Sequence, residues 1–147
     1  MRKTVKISLI WTIAFFMLLS VGELTAANSG DVMKLDVAKV CNPKTNSLQS
    51  LIDLAKKYNP IAVKEKVEFK RLGITNRVYI RDTEVAIKKG SKTTELHYKK
   101  KGKEKVKKMP TSKAAWRACT FAIRAVQEHI EAAKTYRLDI PGDGFKY

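Results

Sequence analysis

The chain reads as an α+β domain. It has an N-terminal helix, an antiparallel meander of four to five strands, and a long C-terminal amphipathic helix packed on that sheet. Three observations predict this. The apolar period is helical over Ser112–Arg137, it falls to two residues across 61–109, and the turns between the alternating runs are too short for anything but antiparallel neighbours. A hydrophobic content of 44% with 30% charged residues suits a chain that buries a core, and 147 residues suit one domain.

Residues 1–27 read as a secretory leader. Arg2, Lys3 and Lys6 form a basic start, Ile7–Val21 is a short apolar run, and Leu24-Thr25-Ala26-Ala27 offers small residues for cleavage after Ala26 or Ala27. That apolar run is shorter than the roughly 20 residues a membrane-spanning helix needs. The expected product is an exported chain, periplasmic or secreted, whose residues 28–147 form a single domain. Cleavage would remove three basic residues and Glu23, so the mature chain would remain strongly basic.

Export gives the two cysteines meaning. Cys41 precedes the first long helical pattern and Cys119 lies on the apolar stripe of the last, and an exported chain with two cysteines most simply pairs them. No CxxC spacing suggests redox catalysis, and two cysteines with two scattered histidines show no metal-ligand spacing.

The mature chain follows in order. Asp31–Val40 fits a short helix or a strand, and Cys41-Asn42-Pro43 breaks it. Asn46-Ser47-Leu48-Gln49 resembles a capping box with Asn46 as cap, and Leu48, Leu51, Ile52, Ala55 and Tyr58 follow at helical spacing until Asn59-Pro60. Val63, Val67 and Phe69 alternate with charged residues as a first strand would. Arg77–Arg81 and Glu84–Lys88 read as the second and third strands, and Lys89–Lys92 as a hairpin turn. Thr93–Lys99 is a fourth strand with Leu96 and Tyr98 on one face, and Glu104–Lys108 a fifth centred on Val106.

Pro110 with Thr111 or Ser112 starts the final helix. Trp116, Cys119, Ile123, Val126, Ile130 and Ala133 recur at gaps of three and four, and Ala115, Ala118, Ala122 and Ala125 widen that face. Phe121 falls outside the apolar arc. The tail 138–147 contains Pro141, Gly142 and Gly144 and reads as irregular.

Function is legible only as a class of partner. The formal net charge of +16 favours anionic polymers, anionic membrane surfaces or acidic proteins. The densest charge is Lys88, Lys89, Lys92, Lys99, Lys100, Lys101, Lys103, Lys105, Lys107 and Lys108, against only Glu95 and Glu104. Arg77 and Arg81 extend the candidate ligand-binding set drawn from this run. Edge lysines also deter strand pairing with other chains, so the same residues have a structural reading. The run holds no arginine, and lysine acts as a mobile point charge, so binding there would be non-specific and salt-sensitive. Arg71, Arg77, Arg81, Tyr79 and Tyr98 would offer nucleic acid a stacking and charged surface, but an exported chain meets envelope anions first. A second reading is a periplasmic interaction or inhibitor module whose charge is incidental. A third is a small hydrolase, which would need His97 or His129 in a polar cleft. Glu128 and Glu131 share a helix face with Arg124 as surface pairs, and no known nucleophile, phosphate-loop or metal motif is present, so no catalytic residue, cofactor or metal is assigned.

Overall fold

The computed structural model describes residues 29–139. Residues 1–28, which include the expected leader, and residues 140–147 of the tail lie outside the described residues. Two short helical turns, α1 (Ser29–Val32) and α2 (Val37–Val40), lead into α3 (Leu48–Lys64). A two-residue hairpin follows, β1 (Lys70–Arg71) and β2 (Ile74–Thr75), then α4 (Asn76–Lys88). A longer hairpin, β3 (Thr93–Lys100) and β4 (Lys103–Pro110), runs directly into α5 (Thr111–Asp139). The class is α+β, but the expected meander of four to five strands is replaced by two separate two-stranded antiparallel sheets.

The core lies where α3, α4 and α5 pack on one another, while β3 lies along α4. α5 touches both strands of the long hairpin, but its main partners are α3 and α4. Its buried arc is mostly small, with Ala114, Ala115, Ala118, Ala122 and Ala125 around Cys119, Ile123 and Val126. Small side chains let the α3 backbone approach closely and seat Leu51, Ile52, Ala55 and Tyr58 against α5. Trp116 and Phe121 flank this arc on opposite sides. Trp116 is 40% exposed, against its expected place in the core stripe. Phe121 is half-buried, stacked on Phe69 with ring centroids 3.9 Å apart and met edge-on by Tyr79 at 5.7 Å.

The expected strands at Arg77–Arg81 and Glu84–Lys88 are one helix. Val78, Ile80, Val85 and Ile87 are β-branched and favour strands locally. The buried residues Asn76, Tyr79, Ile80, Thr83 and Ala86 nevertheless fall at helical spacing, and burying that stripe against α5 and β3 overrides the propensity. Thr75 makes no side-chain cap. Glu68 supplies one from outside the helix, its Oε1 accepting from the Arg77 amide at 2.9 Å. Lys89–Gly90, expected as a hairpin turn, closes α4: the Ser91 amide donates to Ala86 O and the Gly90 amide to Ile87 O, with Gly90 at φ 64°.

Pro60 does not stop α3. It sits inside the helix on the exposed side, where water can take the carbonyl its missing N–H leaves free. The same termination pattern ends α3 four residues later, with Lys66 at φ 60° and the Val67 amide donating to Ala62 O at 2.8 Å. Val63 is therefore helical, and the expected first strand is absent. Ser47, not Asn46, caps α3, accepting from the Ser50 amide at 3.1 Å. The Asn46 amide group instead donates to the carbonyls of Lys39, Val40 and Asn42, which ties down the end of α2.

Cys41 and Cys119 form the expected disulfide, with Cα atoms 5.6 Å apart and both side chains fully buried. It joins positions 78 apart in sequence, and constraint of the unfolded chain is worth about 4 kcal/mol for a loop of that size. Gln127 adds a second fastening by donating to Val32 O at 2.8 Å and Leu35 O at 3.0 Å. Asn76 locks the three long helices together, its Nδ2 donating to Asn59 Oδ1 of α3 and Ala118 O of α5, both at 3.0 Å.

Candidate functional site

The β3–β4 register sorts the lysines by face. Residues directly opposite share a face. One face carries Thr94 with Met109, Leu96 with Lys107, Tyr98 with Lys105, and Lys100 with Lys103. The other carries Glu95 with Lys108, His97 with Val106, and Lys99 with Glu104. Leu96 and Thr94 are fully buried at the base of the hairpin, so the first face enters the core there and ends in cations at the tip. Val106, expected as the centre of the fifth strand, is on the second face and 53% exposed.

At the base several of the charges are paired. Lys108 Nζ is 2.8 Å from Glu95 Oε1, and the hydrogen bond holds the Glu95 carboxyl below, and the Lys108 ammonium above, their ordinary ranges. Glu84 lies 3.1 Å from Lys56 and 3.3 Å from Lys88, which hold its carboxyl low in the same way. Arg81 grips Asp82 at 2.7 Å, which raises the guanidinium further, and donates to His97 O at 3.1 Å. Asp82 also accepts from the His97 amide at 2.7 Å, pinning α4 to β3. Arg77 is committed to Glu68 at 3.0 Å. Among the proposed ligand-binding residues, Arg77, Arg81 and Lys88 therefore sit on acids. Lys89 and Lys92 lie at the base of the hairpin, roughly 25 Å from its tip given eight residues per strand at about 3.3 Å each.

An open cleft of about 440 Å³ lies between α4 and the second face of the hairpin. It contains His97, whose Nδ1 is 3.7 Å from Asp82 Oδ2. Each carboxylate there is already engaged, Asp82 by Arg81 and the His97 amide, Glu95 by Lys108. The Ser91 hydroxyl is committed to the Thr93 backbone. His129 lies at the packing margin of α5, 3.7 Å from Glu65. No group of three His, Cys, Asp or Glu side chains that could hold a metal ion occurs among the described residues.

The tip differs. Among the described residues, none of Lys99, Lys100, Lys101, Lys103 and Lys105 lies within 4.0 Å of a carboxylate. The turn is Lys101-Gly102, with φ of 50° and 75°, the paired positive values of a type I′ hairpin. The short hairpin beside it turns through Leu72-Gly73 in the same way, with φ of 55° and 87°. A methyl group placed on Gly73 would lie 3.9 Å from Lys100 Cγ and from Tyr98 Cδ2, so the two tips stand against each other. The turn that follows exposed Lys70 and Arg71 therefore packs on the end of β3 that carries Lys99 and Lys100. Local sequence marks both turns but carries no signal that they meet. Tyr79 is buried and Tyr98 half-buried, so Tyr79 does not contribute to the stacking surface considered for nucleic acid.

No protein-family model, curated protein or solved structure matches this chain. Among the described residues, no helix is long and apolar enough to cross a membrane.

Proposed function

We propose that this chain is an exported binding protein that engages a phosphate-, sulfate- or carboxylate-bearing partner of the cell envelope through the paired hairpin tips. The observation that carries the reading is the cluster of Lys70, Arg71, Lys99, Lys100, Lys101 and Lys103 with no carboxylate in ion-pair range among the described residues. Like charges so close repel one another, and an anionic partner relieves that repulsion. Each such cation is worth about 1 kcal/mol near an anionic surface, so the cluster supports weak, salt-labile attachment. A covered disulfide behind a leader-like segment supports export.

Heparin chromatography with a salt gradient tests the reading. The wild-type chain is expected to be retained, and the K99Q/K100Q/K101Q/K103Q variant to elute at clearly lower salt. Identical elution of the two would remove the tip from the interaction.

A further inference from the structure

Leu72 stands out at this tip. It is 62% exposed, and its φ of 55° is in the left-handed region, where Asn and Gly are at ease and a γ-branched apolar residue is not. Its side chain adds little to the core, so burial does not explain a leucine here. Backbone tension in a turn and an apolar group held in water both point to a use outside the fold.

The surroundings define the use. Lys70 and Arg71 precede Leu72, and Gly73 packs on the Lys100 stem, so an exposed apolar side chain stands at a turn flanked by cations. A lipid interface matches that arrangement. An apolar group can enter the boundary between headgroups and acyl chains, while long lysine and arginine stems lie along apolar surface and bring their charges to phosphates. A soluble polyanion has no use for the leucine. A protein partner needs a broad, closely fitted area of about 800 Å² on each side, and two narrow turn tips offer little of it.

We propose that the paired tips dock on an anionic phospholipid surface, with Leu72 inserted and Lys70, Arg71, Lys99, Lys100, Lys101 and Lys103 on headgroup phosphates. This inference rests on the polyanion reading above and adds the lipid to it.

The test compares the protein, as recovered from cells, on phosphatidylglycerol vesicles, on phosphatidylcholine vesicles and on heparin. Phosphatidylcholine corrects for apolar adsorption that does not depend on charge. The wild type is expected to co-sediment with phosphatidylglycerol in excess of phosphatidylcholine. Leu72→Asn is expected to weaken that excess roughly tenfold, as loss of one largely buried leucine implies, and to leave heparin elution unchanged. Asparagine suits the positive φ, so the variant is expected to melt no lower than wild type, which separates lost insertion from lost folding. Undiminished phosphatidylglycerol binding by Leu72→Asn, or equal losses on vesicles and heparin, would overturn lipid insertion and leave the polyanion reading standing. Failure of the wild type on both heparin and phosphatidylglycerol would overturn both.

Discussion

At its base the β3–β4 hairpin buries Leu96 and Thr94 and is tied to α4 by the Asp82–His97 amide bond, and the cations Lys88, Arg81 and Lys108 each sit on a carboxylate. At its tip the same two strands carry lysines with no acid in range among the described residues, beside a turn that exposes Leu72. Leu96 and Leu72 express the contrast most directly, one fully buried and the other 62% exposed. The difference teaches that a run of lysines in sequence is not one surface. A charge is silenced where the fold supplies a partner and stays available where it does not.

The sharpest way to break this contrast is to weaken each end in turn. Leu96→Ala is expected to cost about 3 kcal/mol in urea denaturation, because a fully buried leucine leaves a cavity. A loss under 1 kcal/mol would mean that the base is not part of the core. Asp82→Ala comes next, at about 1.5 kcal/mol by the same measurement, since it removes the charged acceptor shared by the His97 amide and the Arg81 guanidinium. The K99Q/K100Q/K101Q/K103Q variant is expected to stay within about 0.5 kcal/mol of wild type, as surface substitutions do, although it changes heparin binding. Marked destabilisation of that variant would show the tip lysines to be structural.

The smallest effect sharpens the base alone. Lys108 holds the Glu95 carboxyl below its ordinary range, so folding is aided by this pair above about pH 4.3, the unfolded value, and the aid fades as pH falls through the lower folded value. The stability difference between wild type and Lys108→Gln is therefore expected to be present at neutral pH and to shrink on acidification. A difference that is constant through the acid range would mean that the pair is not formed in solution.

Much of this scaffold was legible before any coordinates. Leu51, Ile52, Ala55 and Tyr58 announce α3, the Ala-rich stripe announces α5, the alternation around Leu96 announces β3, and the cysteine count announces the bridge. Each is a signal within a few residues or a simple count. The failures share a different cause. Arg77–Lys88 is rich in β-branched residues, and only the packing of Tyr79, Ile80 and Thr83 against distant elements makes it a helix. Pro60 reads as a stop because the local sequence does not show that it falls on the exposed side of α3, where water takes the carbonyl left free.

The candidate site divides in the same way. Lys99–Lys103 and the Leu72-Gly73 turn can be found by reading along the chain. Their meeting at one tip, and the withdrawal of Arg77, Arg81 and Lys88 into ion pairs, cannot.

The sequence by itself determined the class of fold, the two long helices, the long hairpin, the cysteine pairing and the sign of the charge, because hydrophobic period, turn chemistry and composition act over a few bonds or over the whole chain at once. Only the tertiary structure decided that α4 is a helix, that Glu68 caps it, and which cations remain without a partner. Those outcomes depend on groups far apart in sequence, and their energies exist only once the chain has brought them within a few ångströms.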